Sequence, residues 1–188
     1  MKAVMISIRP EWAEKIVSRK KTVEVRKNRP NLKTPFRCYI YCTKRKSKDI
    51  WGEIYGGYVI GEFTCDRIIT MSACYKSIER EARGFSFYEE TCLTDKQIID
   101  YLGNGVFGYG WHISDLKVYN KPKELCEFTK YSDDDIRPCE NGEECQYEYY
   151  DYSEDCVACG IDFDGDACPF IKMQRPPQSW CYVEDSHD

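Results

Sequence analysis

Ser18-Arg19-Lys20-Lys21-Thr22-Val23-Glu24-Val25-Arg26-Lys27 is the stretch on which the reading of this chain turns. Val23 and Val25 alternate with Thr22, Glu24 and Arg26, so the segment predicts a strand with one apolar and one polar face. The polar face carries an acid beside a base, and Lys21 sits at the junction entering the strand, free to reach over that face. A carboxylate so placed holds the Arg26 guanidinium in a fixed orientation and leaves its remaining donors for a phosphate or a base edge. The plainer alternative is a surface salt bridge on a half-exposed strand, which contributes little.

The pattern extends outward in both directions. Upstream, Lys2–Ile8 predicts a short strand. Pro10 then suits the first position of a helix, Glu11 favours its positive end, and Trp12, Ile16 and Val17 share a face. That helix is expected to end near Ser18-Arg19. Downstream, Phe36–Cys42 predicts a strand, 44–48 a basic loop, and Gly57–Thr70 one long strand with Gly61 at a bulge or close backbone approach. Ser77–Arg83 predicts a short helix. Thr94-Asp95-Lys96-Gln97 has capping-box spacing ahead of Ile98, Ile99 and Leu102, with Gly103-Asn104-Gly105 as the stop. Phe107–Tyr119 predicts a further strand, Lys121-Pro122-Lys123 a turn, and Ser179–Val183 a last strand after the stiff Arg175-Pro176-Pro177. Short helices spliced between mostly antiparallel strands indicate an α+β fold, expected as a small closed barrel. The sequence shows no internal repeat, Gly-rich phosphate loop, nucleophile elbow or His pair at metal-ligand spacing.

Ser7-Ile8-Arg9-Pro10, the helix and the basic strand together resemble the start of ASCH domains, a branch of the PUA-like superfamily. Their signature is GxKxxExR, and Lys21, Glu24 and Arg26 fall on its K, E and R, whereas Arg19 stands where the family has glycine. The Gly57–Thr70 segment and Gly110-Trp111-His112-Ile113 continue the resemblance. It divides the chain into a PUA-like domain over 1–130, closed by a last strand near 177–184, and an acidic Cys-rich insert over 131–176. The resemblance implies a β-barrel with a cleft beside the signature strand and binding of RNA or modified nucleotides. On that basis the expected contact residues are Arg9, Lys21, Thr22, Glu24, Arg26 and Lys27, with Trp111 and His112 watched as a stacking pair. Trp51 and the tyrosines are further stacking candidates, against core packing as the alternative. Some small ASCH proteins are amidohydrolases acting on acetylated cytidine through a Lys, a Thr and a distant Glu. Lys21 matches the Lys, but Glu24 occupies the Thr position, so that scheme lacks its hydroxyl; Lys21 with Glu89 or Glu90 is the remaining acid–base pairing.

Charge distribution agrees with an anion-binding face. The 188 residues carry a net charge of −5, yet residues 1–48 hold 15 basic against 3 acidic side chains and residues 131–188 hold 3 against 16. Hydrophobic residues at 42% and charged residues at 31% suit a soluble globular chain. No stretch approaches the roughly 20 apolar residues of a membrane span, and the short apolar start lacks a signal-peptide core, so a cytoplasmic location is expected.

Of the twelve cysteines, Cys38, Cys42, Cys65, Cys74, Cys92 and Cys126 lie in apolar segments and read as small core residues. Cys139, Cys145, Cys156, Cys159 and Cys168 crowd into acidic sequence with little to bury. With reduced thiols and few histidines, a structural zinc site of four thiolates clamped by the Cys156–Cys159 turn is expected, one of the five being spare. The alternative is unligated thiols in a loop. Asp162–Asp166 resembles a calcium-loop fragment but lacks its downstream glutamate, so it reads as a turn. A protein partner for the acidic insert is a third functional class.

Overall fold

The computed structural model describes residues 2–44, 55–74, 77–80, 87–103, 106–130, 173 and 175–185. Nine strands are present among them. β1 (Lys2–Ile8) leads into α1 (Pro10–Val17), then β2 (Val23–Arg26) and β3 (Phe36–Cys42). β4 (Val59–Cys65), β5 (Ile68–Cys74) and β6 (Ser77–Arg80) follow, then α2 (Phe87–Thr91) and α3 (Asp95–Leu102). β7 (Phe107–His112), β8 (Ser114–Lys123), a single 3-10 turn at Leu125–Glu127 and β9 (Trp180–Glu184) complete the set.

The mixed α+β class holds, but the described strands do not close into one barrel. They form two sheets, ordered β8-β4-β3-β1-β9 and β2-β7-β5-β6. β1 pairs parallel to β3 and antiparallel to β9, and β2 pairs antiparallel to β7. β2 is four residues long, and its hydrogen-bonded partner is β7; the space between it and β1 is bridged by a side chain, described below, rather than by a ladder. The two sheets enclose a shared core of Ile6, Ile8, Phe36, Cys38, Ile40, Phe63 and Trp111, capped by Ala13 and Ile16 of α1. α3 covers the other face of the second sheet, setting Ile98 and Leu102 against Val23, Val25, Ile69 and Met71. The Thr94 hydroxyl caps the Gln97 amide and Gln97 answers at the Thr94 amide, as the spacing predicts.

Four expectations need correction. The long strand expected over Gly57–Thr70 is two, β4 and β5, because the chain leaves the first sheet at Asp66-Arg67 to join the second. Phe107–Tyr119 divides in the same way at Ile113, where β7 of the second sheet becomes β8 of the first, and Asp115 takes the left-handed conformation. Ser77–Arg80 is a strand rather than a helix start, since pairing with β5 outweighs its weak helical preference. Lys121-Pro122-Lys123 continues β8 rather than turning; β8 is a sheet edge, where a proline removes no ladder bond.

Gly61 behaves as expected. A Cβ there would lie 2.4 Å from the Lys117 carbonyl oxygen, and the β3–β4 register shifts beside it. Cys38, Cys42 and Cys65 are fully buried, but Cys126 is exposed on the 3-10 turn, its thiol facing the Glu124 carboxylate at 3.5 Å, and Cys92 is half-buried. The side chain of Cys74 lies outside the description, as do residues 45–48, Trp51, residues 81–83, Asn104-Gly105 and the whole of 131–172 with its five clustered cysteines and Asp162–Asp166. Among the described residues no helix is long and apolar enough to cross a membrane.

Candidate functional site

Local geometry at the end of α1 puts Lys21 inside the protein. At the helix end the Ser18 amide donates to the Glu14 carbonyl and the Arg19 amide to the Ile16 carbonyl. Arg19 then adopts φ +59°, the left-handed region, and the amides of Lys20 and Lys21 return to the Lys15 carbonyl. The chain doubles back, and the Thr22 amide donates to the Glu90 carbonyl at 2.8 Å. Arg19 thus occupies, in a glycine-like conformation, the position where the signature has glycine. Its guanidinium reaches the Leu116 carbonyl at 3.4 Å in partial compensation. Left-handed backbone costs a non-glycine residue roughly 1–2 kcal/mol, against roughly 0.5–1 kcal/mol of extra chain entropy for glycine. Arg19→Gly is therefore expected to raise stability by about 0.5 kcal/mol, read as a higher urea midpoint at unchanged slope. A lower midpoint would show that the Leu116 contact outweighs the strain.

Beyond the turn, Glu24 and Arg26 leave β2 on the side facing the shared core, and Val23 and Val25 face α3. The three charged groups are buried: Lys21 is 2% exposed, Glu24 7% and Arg26 7%. Glu24 spans the two cations, with one carboxylate oxygen 3.3 Å from Lys21 Nζ and the other 3.1 Å from Arg26 Nη2. The Lys21 ammonium also donates to the Thr91 carbonyl at 2.7 Å and lies 5.4 Å from the centre of the Trp12 ring. Burial pulls the Lys21 pKa below the usual lysine value, and Glu24 opposes that shift. Arg26 spends its fork on the first sheet: Nη2 donates to the Ser7 carbonyl at 2.6 Å, and Nη1 lies 3.3 Å from Ser179 Oγ. This guanidinium ties β2 to β1 and to the residue before β9, where a closed barrel would have a ladder.

The arrangement revises the expected roles. The donors of Arg26 meet protein carbonyls and a hydroxyl rather than solvent; only its Nε is buried without a partner. Trp111, paired across from Glu24, is fully buried between Phe36 and Trp180, with ring centres 5.8 and 5.9 Å away. It is a core residue, not a stacking platform. The neighbouring glycines serve packing: a Cβ at Gly110 would lie 2.9 Å from Val23, and one at Gly108 2.5 Å from Leu102. His112 points away from that core and pairs through Nδ1 with Asp66.

Thr22 is half-buried, and its carbonyl accepts the Ile113 amide. Arg9 and Lys27 are exposed, Arg9 at the start of α1 and Lys27 with its ammonium 5.4 Å from the Tyr101 ring. The carboxylate at Lys21 is Glu24; Glu89 is exposed on α2 and Glu90 is half-buried. Sequence reasoning missed the Thr91 carbonyl, Ser7 and Ser179. These groups act through main-chain atoms or a lone hydroxyl, and no spacing announces such partners.

A family model for the ASCH domain matches residues 6–132. The chain belongs to the ASCH domain family. Three similar solved structures are of ASCH from Zymomonas mobilis. A Tyr-to-Phe variant has a TM-score of 0.49 and 24% identity over 66% of this chain and 77% of that one. The unsubstituted protein has a TM-score of 0.48 and 24% identity over 65% and 73%, and a Ser-to-Ala variant has 0.48 and 24% over 65% and 74%. No curated protein matches the chain. The matched ASCH region takes in the whole Lys21–Glu24–Arg26 group, the last three residues of β1 and all of β2 to β8, whereas Ser179, which Arg26 also reaches, lies beyond it.

Proposed function

We propose that this ASCH domain binds nucleic acid, RNA above all, over the surface surrounding β2, with the Lys21–Glu24–Arg26 group as its buried frame. One observation carries the reading: the frame's charges are turned inward and paired with one another, while Arg9, Arg19, Lys20, Lys27, Arg29 and Lys33 on the flanking segments are exposed. Exposed cations with no buried role are the groups that release counterions on meeting a phosphate backbone.

Binding of a labelled single-stranded RNA, followed by fluorescence anisotropy, is expected to weaken about 50-fold between 50 and 200 mM salt if four phosphates are contacted. Lys20→Ala with Lys27→Ala is expected to weaken it more than Lys121→Ala with Lys123→Ala, a pair at the far end of β8. Equal losses from the two pairs, or indifference to salt, would reject the assignment.

The burial of Lys21 favours a second reading, a small amidohydrolase or RNA hydrolase working in the same place. Desolvation lowers the lysine pKa toward the range useful for proton transfer, and Glu24 stands beside it. Release of acetate from acetylated cytidine, lost in Lys21→Met, would promote this reading over simple binding.

A further inference from the structure

Along β7 the residues on the face turned toward the first sheet are Phe107, Tyr109 and Trp111, paired with Ser72, Thr70 and Ile68 of β5. Trp111 and Tyr109 also pair with Glu24 and Arg26 of β2. Exposure climbs along this row, from fully buried Trp111 through half-buried Tyr109 to Phe107 at 63%. Phe107 is the most open of the large apolar side chains in the described residues. It lies beyond the last residue of β2, so among the described residues no second strand flanks it on that side.

Cations stand over the neighbouring rings. Arg29 is exposed, with its guanidinium carbon 5.8 Å from the centre of Tyr109. Across the tip, where the Gly108–Leu102 approach sets the end of α3 against β7, Lys27 lies over Tyr101, itself 40% exposed. An uncovered aromatic face bordered by cations and by Thr70 and Ser72 is the combination that holds unpaired bases: the ring stacks and the cations take the backbone. A protein-docking patch would be bordered by further aliphatic side chains, and among the described residues Val106 is the exposed aliphatic neighbour in sequence.

We propose that the start of β7 is a stacking platform for an unpaired nucleotide, with its base on the Phe107 ring and the adjoining phosphate on Arg29. The proposal rests on the nucleic-acid reading above and narrows it to single-stranded RNA. A duplex keeps its bases stacked on one another and offers none to Phe107, so binding should distinguish the two. Stacking makes no demand on base identity, so tolerance of sequence is expected.

The test is equilibrium binding by the full chain of a labelled 12-nucleotide RNA, the same RNA annealed to its complement, and versions carrying one abasic site. Single strands are expected to bind at least tenfold tighter than the duplex. Phe107→Ala is expected to weaken the single strand about tenfold or more, Phe107→Tyr to restore it and Phe107→Leu not to. Phe107 is open, so these variants should keep the wild-type unfolding midpoint. An abasic site should lower affinity for the wild type at its most sensitive position and have no effect there in Phe107→Ala, because the same stack is already missing. If salt-sensitive RNA binding persists unchanged in Phe107→Ala, this platform is wrong and the broader reading stands. If the wild type binds neither form, both fall. Should Phe107→Ala instead abolish a concentration-dependent dimer and leave RNA affinity intact, the patch is a contact between copies of this chain, which also overturns the proposal.

Discussion

Glu24→Ala is expected to destabilise the protein by about 3–5 kcal/mol, the cost of leaving buried charge uncompensated. The substitution removes the one carboxylate that lies between Lys21 Nζ and Arg26 Nη2, each within 3.3 Å. Lys21 would retain the Thr91 carbonyl, and Arg26 would retain Ser7 and Ser179. Neutral acceptors do not offset two buried positive charges, so the cations would repel and draw in water.

Urea unfolding followed by tryptophan fluorescence reads the effect directly, since Trp111 and Trp180 pack in the same core. The contrast that isolates the charge effect is the triple replacement Lys21→Met, Glu24→Leu, Arg26→Met. It removes all three charges and is expected to cost far less than the sum of single changes. A loss below about 1 kcal/mol for Glu24→Ala would mean that the group behaves as a solvent-screened surface cluster.

Stability is expected to fall steeply above pH 9. Cys38 and Cys65 are fully buried thiols, and burial, the main cause, pushes Cys65 up to about 12 and Cys38 well above the ordinary thiol value. In the unfolded chain both would ionise near the ordinary thiol value of 9.0. Because the folded pKa values are raised, the native state keeps protons that the unfolded state gives up. Their contribution is complete below pH 9 and is lost as pH climbs through the folded values.

Each such thiol costs about 1.4 kcal/mol per pH unit across that window. Lys21 acts in the opposite sense. Its lowered folded pKa means that the unfolded state binds more protons between that value and 10.5, so its burial penalty shrinks as pH rises. Cys181, Tyr41 and Tyr119, whose pKa values burial also raises, act in the thiols' sense, so against one amine the net is a fall, expected to reach at least about 2 kcal/mol by pH 11. Urea midpoints at pH 8.5, 10 and 11 measure it, and Cys65→Ala should flatten the slope by about one proton. A stability profile level to pH 11 would show that these thiols ionise freely in the folded protein.

What the sequence by itself determined is the local grammar of the β1–α1–β2 unit and the family it belongs to. Pro10 at a helix start, the apolar stripe of α1, the alternation in β2 and the Thr94–Gln97 box each depend on neighbours a few residues away, and each is realised. The grouping of Lys21, Glu24 and Arg26 was legible for the same reason: a side-chain period of two puts Glu24 and Arg26 on one face. Tertiary structure decided which way that face points. It turns inward because Arg26 finds the Ser7 carbonyl and Ser179 Oγ, and Lys21 finds the Thr91 carbonyl, 19, 153 and 70 residues away. No local pattern encodes those separations.

The same distinction separates Trp111 from Phe107. Both are aromatic residues of one strand face, and sequence pointed to the first, yet β2 ends at Arg26 and covers only as far as Tyr109. Long-range pairing also split the two long strands, since Asp66-Arg67 and Ile113 leave one sheet for another only when both sheets exist. Strand identity is a property of nearby residues; burial and partnership depend on what the rest of the chain brings to meet them.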